Sequence, residues 1–150
     1  MEGRDEFGVR IMSDVVKNKT ALEQVYQRWH DTRGGCLEEI VGLFSSHIKF
    51  SSLAQGAPPA TFTAAAKGKD QMRGYFDGLL SAWTMNYYKV DHMIAEGDRV
   101  AVVGSTSWTN KATGKIVETP KVDVWRFSDG LAVEFYEYYD TAKMFAAATP

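Results

Sequence analysis

Three stretches of the chain repeat apolar residues with the spacing of an amphipathic helix. The first covers residues 18–31, and its apolar positions fall on one face: Leu22, Val25, Tyr26 and Trp29. Within it, Thr20 and Glu23 have the spacing of a capping box. The same apolar pattern predicts a second helix over residues 36–44 and a third over residues 69–83.

Four stretches in the second half of the chain alternate apolar and polar residues, which is the period of a half-buried strand. They cover residues 86–95, 99–110, 115–127 and 131–140, and a shorter strand is predicted over residues 47–53. The turns between the four long strands, Glu-Gly-Asp, Lys-Ala-Thr-Gly and Ser-Asp-Gly, suit hairpins. This order predicts an α+β fold in which a curved, mostly antiparallel sheet, barrel- or cone-like, wraps around three N-terminal helices.

Two segments lack such a period. Residues 1–17 are expected to form an N-terminal arm that could be mobile, followed by a single domain over residues 18–150. Residues 54–67 combine paired prolines with small residues, so we expect a long loop without regular structure, of the kind that often forms lids.

Near the end of the chain, Asp140 is placed to cap a short helix over residues 141–147.

Composition narrows the possible partners. Of 150 residues, 45% are hydrophobic and the formal net charge is -2, so a core is expected and an electrostatic surface for nucleic acid is not. No apolar run approaches the roughly 20 residues that span a bilayer, and the first residues lack the apolar region of a signal peptide. We therefore expect a cytoplasmic protein without a nucleic-acid or membrane partner.

No metal or cofactor is expected either. The three histidines are scattered without the spacing of metal ligands, and Cys36 is the only cysteine. Cys36 lies near a predicted helix start, where a thiolate can be favoured. We interpret it as a buried, inert thiol.

Charged residues interrupt one face of the predicted sheet that is otherwise suited to a core. On the face shared by Trp125 and Tyr139, the charged residues are Lys121, Asp123 and Glu137. Pairing the strands through their turns predicts two rows across the sheet: Val90, Gly104, Lys121 and Glu137, then His92, Val102, Asp123 and Phe135. Because glycine lacks a side chain, Gly104 is expected to leave open space beside the charges. This pattern indicates a pocket with a polar lining.

The charges allow two interpretations. In the functional one, Lys121 keeps Glu137 ionised as a general base, and Asp123, diagonal to Glu137 at ~7 Å, is a protonated partner or general acid. In the structural one, Lys121 and Glu137 form an ion pair at the rim of the sheet, and Asp123 is bonded to a tyrosine or a tryptophan. The residues expected to shape the pocket are Tyr88, His92, Trp125, Tyr139, Trp108, Trp29 and Phe50.

The order of elements and the ending, Asp-Val-Trp-Arg-Phe-Ser-Asp-Gly followed by Glu-Phe-Tyr-Glu-Tyr-Tyr-Asp, resemble a known family. This is the α+β cone family of nuclear-transport-factor-like and ketosteroid-isomerase-like proteins. Within it, residues 18–145 look most like SnoaL-type polyketide cyclases and limonene epoxide hydrolases. The resemblance implies a fold with a cavity on its concave face. It does not select an activity, because this fold hosts isomerases, hydrolases, cyclases and binding modules.

The epoxide hydrolases allow the most detailed comparison. One of their catalytic carboxylates falls on Glu137, whereas their arginine falls on Gly104 and their second aspartate on Thr106. Their tyrosine and asparagine fall on Phe50 and Ser52. The resemblance therefore does not imply the epoxide hydrolase mechanism. The ketosteroid isomerase pattern of a tyrosine with a protonated aspartate is not matched at identifiable positions.

Two function classes follow from these observations. One is a cofactor-independent isomerase, cyclase or hydrolase that acts on a small hydrophobic molecule, cyclic or polyketide-like, with paired carboxylates. The other is a non-catalytic ligand-binding or protein-interaction module of the same fold. In either case the outer face of the sheet carries apolar residues that need a partner, and we expect a homodimer through that face. Those residues are Val103, Val124, Tyr136 and Tyr138.

Overall fold

The computed structural model describes residues 2–150, with the side chains of residues 8–10, 12 and 14–150. Within that part of the chain the helices are α1 (Glu2–Asp31), α2 (Leu37–Val41), α3 (Gly68–Ala82) and α4 (Thr141–Ala148). The strands are β1 (Phe44–Ser52), β2 (Ala66–Lys67), β3 (Trp83–Glu96), β4 (Arg99–Asn110), β5 (Ile116–Ser128) and β6 (Leu131–Tyr139). No helix in this part of the chain is both long enough and apolar enough to cross a membrane.

The strands form one open, mixed sheet in the order β2-β1-β6-β5-β4-β3. β1 runs parallel to β6, and all other neighbouring strands are antiparallel. α1 packs against β3, and α3 packs against β1. The predicted α+β class is confirmed, and the sheet is not closed into a barrel.

α1 is longer than the pattern of apolar residues predicts. It begins at Glu2 and runs without interruption to Asp31, so residues 2–17, predicted as an arm, are its first half. Residue 1 lies outside the described residues. Thr20 is therefore inside a helix and does not form the predicted capping box. The apolar pattern predicted from residue 18 onward marks the part of α1 that packs on the core: Leu22, Val25, Tyr26 and Trp29 are buried.

The segment over residues 54–67 has more structure than predicted. It contains a short 3₁₀ helix (Thr61–Thr63) and the strand β2, so the expectation of a loop without regular structure was wrong. The hydroxyl of Thr63 organises it by donating to the carbonyl of Ala60 at 2.6 Å and accepting from the N–H of Gly56 at 3.0 Å. The segment is thus held by its own hydrogen bonds.

The predicted strand register is correct between β4 and β5, correct in part between β3 and β4, where Val90 pairs with Gly104 as predicted, and wrong between β5 and β6. Gly104 pairs with Lys121, as predicted. In β3, a bulge at Asp91 shifts the pairing, so His92 is opposite Val103 instead of Val102. Between β5 and β6, Asp123 pairs directly with Glu137, and the predicted diagonal arrangement is wrong.

The register between β5 and β6 differs from the prediction by two residues, and this shift has two causes. The turn is tighter than predicted, because Ser128 pairs with Leu131 across the two-residue turn of Asp129 and Gly130. A bulge at Val133 then moves the register by one more residue. Because side chains alternate with a period of two, a total shift of two leaves the charged residues on their predicted face.

Candidate functional site

A buried cluster of three charges lies on β5 and β6. The Nζ atom of Lys121 is 2.9 Å from Oδ1 of Asp123 and 2.9 Å from Oε2 of Glu137. The side chains are 12%, 2% and 4% exposed, respectively. We call these three residues the ion cluster. It is not at the sheet rim, as the structural interpretation predicted, but inside the fold, where unpaired charges are costly.

Tyrosine hydroxyls hold both carboxylates. Tyr26 and Tyr88 donate to Oδ2 of Asp123, at 2.5 Å and 2.7 Å, and Tyr75 donates to Oε2 of Glu137 at 2.9 Å. The indole N–H of Trp125 donates to the hydroxyl oxygen of Tyr26 at 2.9 Å. Since that indole can only donate, the proton of Tyr26 must point to Asp123.

The sequence interpretation did not assign Tyr26 and Tyr75 to the site. Both lie on the apolar stripes of helices, Tyr26 on α1 and Tyr75 on α3, where they were counted as core residues. The signal that could have identified them is the hydroxyl itself, because a buried tyrosine normally finds a hydrogen-bond partner. The charged face of the sheet offers that partner to both helices.

The two carboxylates differ in which oxygen is free. In Glu137, Oε2 makes both contacts, and no described residue forms a hydrogen bond with Oε1. In Asp123, Oδ2 accepts both tyrosine hydroxyls, whereas Oδ1 is buried without a hydrogen bond from the described residues. Its contact with Lys121 is an ion pair that is not aligned as a hydrogen bond.

Two small cavities adjoin the ion cluster, each beside one carboxylate. The Glu137 cavity has a volume of about 70 Å³, and the Asp123 cavity has a volume of about 40 Å³. Four residues line both cavities and form a partition between them: Tyr75, Leu79, Trp108 and Lys121. The other walls of the Glu137 cavity are mainly apolar, with polar atoms from threonines and a tyrosine: Phe62, Thr63, Trp83, Thr106, Val117, Thr119, Tyr139 and Met144.

The protonation of the cluster's donors follows from its burial and charge. Burial alone disfavours a charged ammonium, but Asp123 and Glu137 outweigh this effect and hold the pKa of Lys121 well above its usual value. Burial and the adjacent carboxylates also raise the pKa values of Tyr26, Tyr75 and Tyr88 well above 10.0. At neutral pH, Lys121 is therefore a cation and these tyrosines are hydrogen-bond donors.

Most of the aromatic residues predicted to shape the pocket lie at the two cavities. Three of them line the Asp123 cavity: Trp29, Tyr88 and Trp125. Trp108 is in the partition, and Tyr139 lines the Glu137 cavity with its hydroxyl 2.7 Å from that of Ser52. Phe50 lines neither cavity. It is buried in the core, where its ring lies 4.3 Å from that of Tyr75 between ring centroids.

Two predictions about this face were wrong. His92 is exposed and lines neither cavity, because the bulge at Asp91 takes it off the inner face. Gly104 does not leave open space: a Cβ atom there would lie 1.9 Å from the carbonyl oxygen of Lys89. The glycine is required by the close approach of the bulged strand β3 to β4.

No metal site is evident in the part of the chain that the structure describes, since no three His, Cys, Asp or Glu side chains are grouped to hold an ion. The predictions that the protein needs neither metal nor cofactor stay predictions. Cys36 is buried, and burial raises the pKa of its thiol, which agrees with the interpretation as an inert residue.

The fold is shared with known proteins. A family model described as "SnoaL-like domain" matches residues 22–135. An NTF2-like protein of unknown function from Burkholderia pseudomallei K96243 superposes with a TM-score of 0.77 at 21% identity, over 89% of this chain and 98% of that chain. No curated protein matches the sequence.

Two further solved structures are similar. A protein from Mesorhizobium loti, provisionally described as a SnoaL-like polyketide cyclase, has a TM-score of 0.66 at 20% identity and covers 82% of this chain and 96% of its own. TerC, co-crystallised with polyporic acid, has a TM-score of 0.74 at 18% identity and covers 88% of this chain and 98% of its own. The resemblance stated from the sequence is confirmed at the level of fold.

Proposed function

The chain belongs to the SnoaL-like domain family, and from this premise we propose that it binds a small, largely apolar molecule beside Glu137 and transfers a proton on it without a cofactor. The proposed reaction is of isomerase, cyclase or hydrolase type, on a hydrophobic cyclic or polyketide-like substrate. The observation that carries the proposal is the asymmetry of Glu137. Its Oε2 is held by Tyr75 and Lys121, whereas its Oε1 accepts no hydrogen bond from the described residues. Glu137 also lines a cavity.

Glu137 is the proposed general base. Tyr75 and Lys121 both bind Oε2, which fixes the orientation of the carboxylate. Oε1 remains able to accept a proton from a ligand in the Glu137 cavity. A base must lie within hydrogen-bond reach of the proton that it removes, and of the two carboxylates only Glu137 lines this larger cavity.

Lys121 is the proposed electrostatic group. Because its pKa is held well above the usual value, it does not serve as a neutral amine that attacks a carbonyl carbon. A fixed, largely buried ammonium stabilises negative charge that develops on a substrate oxygen as its proton is removed. Lys121 lines both cavities, so it can act on a ligand in either.

Asp123 is the proposed protonated partner. Two anionic carboxylates facing one lysine leave a net negative charge in a buried site, and one proton on the cluster would remove it. Since Oδ2 of Asp123 accepts two tyrosine hydroxyls, Oδ1 is the oxygen from which Asp123 would deliver a proton to a ligand. As a general acid, Asp123 would serve a ligand that reaches past the partition into the Asp123 cavity.

The substrate class is inferred from the cavity walls and their size. The walls are aromatic and aliphatic with a few polar atoms, which suits a flat, mostly hydrophobic ligand. A volume of about 70 Å³ is well below the roughly 300 Å³ of a pocket for a drug-sized ligand, which limits the ligand to a small molecule unless the partition moves. The description of the Mesorhizobium loti protein as a polyketide cyclase and the co-crystallisation of TerC with polyporic acid support a cyclic ligand.

The test begins with a ligand and then removes the proposed base. A thermal-shift screen of steroid, terpenoid and polyketide-like compounds identifies a binder, and its conversion is followed by mass spectrometry and NMR. Glu137→Gln and Asp123→Asn should each lower turnover by on the order of 10²-fold while the fold is kept. Glu96→Gln, an exposed carboxylate at the end of β3, is the control and should leave turnover unchanged. Turnover near the wild-type value in both cluster variants would refute the acid–base role.

A non-catalytic binding module is the second candidate, and one observation favours it. Most polar contacts of the ion cluster are made within the protein, and both cavities are small, as in a core stabilised by buried polar residues. In that case the screen yields a ligand that is bound but never converted. Binding without conversion, equal in the wild type and Glu137→Gln, would identify this alternative.

The proposal also includes a homodimer interface and the cellular location of the protein. The outer sheet face keeps Val103, Val124 and Tyr136 partly exposed and Tyr138 exposed, which supports a homodimer through that face. The cytoplasmic location predicted from the sequence stays a prediction, as does the lack of nucleic-acid and membrane partners.

A further inference from the structure

We infer that Phe62, seated over Gly78 of α3, sets the upper size of the ligand that the Glu137 cavity accepts. The inference rests on the proposed function, because it takes that cavity to be the ligand site. It adds a residue that determines specificity and lies outside the ion cluster. Phe62 comes from the 3₁₀ helix after β1, not from the sheet that carries the charges.

Phe62 is a wall of the cavity next to a residue that holds the base. Its side chain is partly buried and lines the Glu137 cavity. Its ring centroid is 6.0 Å from that of Tyr75, whose hydroxyl donates to Glu137. A ligand that extends from Glu137 along Tyr75 therefore meets the ring of Phe62.

The absence of a side chain at Gly78 allows Phe62 to pack directly against the backbone of α3. A Cβ atom at position 78 would lie 2.3 Å from Cβ and 3.0 Å from Cγ of Phe62. These atoms are close to the backbone of Phe62, so turning its ring cannot relieve the clash and the 3₁₀ helix itself would have to move. Gly74, one turn earlier on α3, has no atom within 4 Å of the equivalent position, which makes it a matched control.

The segment that presents Phe62 is fixed by its own hydrogen bonds. The hydroxyl of the adjacent Thr63 links Gly56 to Ala60, and the side chain of Thr63 is itself buried. Phe62 is therefore held in place on both sides, by the Thr63 hydroxyl and by the surface of α3. It limits the cavity as a fixed wall whose size depends on the residue at position 62.

The test compares two probes that differ by one ring. Phenol and 4-phenylphenol each carry one hydroxyl for Glu137, and their dissociation constants are measured by NMR titration. In Phe62→Ala, the affinity for 4-phenylphenol relative to phenol should rise about tenfold or more, as expected when a bulky apolar wall is removed. Gly78→Ala displaces Phe62, so it should also change this ratio and should lower Tm. Gly74→Ala should keep the wild-type ratio and raise Tm, because alanine is the better helix former.

Equal ratios in the wild type and Phe62→Ala overturn the inference, and so does an absence of binding of both probes to both proteins. Circular dichroism establishes that each variant is folded, and Phe62→Ala carries the test if Gly78→Ala does not fold. Glu137→Gln in the Phe62→Ala background separates the inference from the proposed function. If the ratio shifts in Phe62→Ala but Glu137→Gln leaves the affinity for both phenols unchanged, the proposed chemistry fails and the role of Phe62 stands.

Discussion

Single oxygen atoms determine what the ion cluster can do. Oε2 of Glu137 and Oδ2 of Asp123 are taken by tyrosine hydroxyls from α1, α3 and β3, so each carboxylate has one oxygen left. Of the two carboxylates, only that of Glu137 lines the larger cavity. Hydrogen bonding leaves one oxygen free in both carboxylates, so the proposed assignment of Glu137 as base rests on the cavity that it lines.

Tyr139 makes a testable contribution to stability at alkaline pH. Burial, and then the charge of Glu137, raise the pKa of Tyr139 from 10.0 to about 12, so the folded state favours the neutral phenol. This contribution is complete below pH 10 and is lost as the pH rises toward about 12. Across that interval, we expect the free energy of unfolding to fall more steeply in the wild type than in Tyr139→Phe. Chemical denaturation at several pH values measures both slopes, and equal slopes would contradict the assignment.

The residues of the ion cluster could be found from the sequence, and so could the donor Tyr88 on β3, but the tyrosine donors on the two helices could not. Alternation along β5 and β6 places Lys121, Asp123 and Glu137 on one face, and this holds despite a register error because the error was an even number of residues. The apolar stripes of α1 and α3 predict that Tyr26 and Tyr75 are buried, but they do not indicate which strand carries the partner of each hydroxyl. That depends on how the helices lie across the sheet.

At the scale of elements, the sequence predicted the hairpin strands well, but it did not predict the β-bulges or the first half of α1. Turn residues and period-two alternation specify where β3 to β6 begin and end, to within a few residues. A bulge adds one residue without altering the local composition, so alternation alone gave the wrong face for His92. The first half of α1 was missed because its sequence shows no clear apolar period, and among its described side chains Val9, Met12 and Val16 are exposed.

The predicted cap of α4 is present and gives a test at this scale. Oδ1 of Asp140 accepts from the N–H of Lys143 at 3.0 Å, and α4 supplies Met144 to the wall of the Glu137 cavity. Asp140→Ala should lower the free energy of unfolding by about 1 kcal/mol, whereas Asp140→Asn, which keeps an acceptor, should lose much less. Urea denaturation of the three proteins measures the difference. The same loss in both variants would show that the side-chain acceptor is not what stabilises the helix.

For the whole molecule, the proposed homodimer gives the clearest test. The outer sheet face carries apolar residues on β4, β5 and β6, and Tyr138 at its surface is 44% exposed. In sedimentation at tens of micromolar the wild type should be a dimer, and Tyr138→Lys should weaken the dimer by about tenfold or more, because a charge in an apolar interface is costly. Leu53→Lys is the control, since Leu53 is also 44% exposed but lies outside the sheet. A monomeric wild type would refute the proposal.

The sharing of Lys121 between two carboxylates has a consequence for how this protein can change over evolutionary time. A lineage that loses the lysine alone keeps two facing carboxylates with no cation between them, a state that selection removes because the fold is weakened. A lineage that loses one carboxylate alone keeps a neutral pair but leaves tyrosine donors unused, one if Glu137 is lost and two if Asp123 is lost. Positions 121, 123 and 137 should therefore be inherited as a unit, and a relative that has given up one of them should have replaced the others.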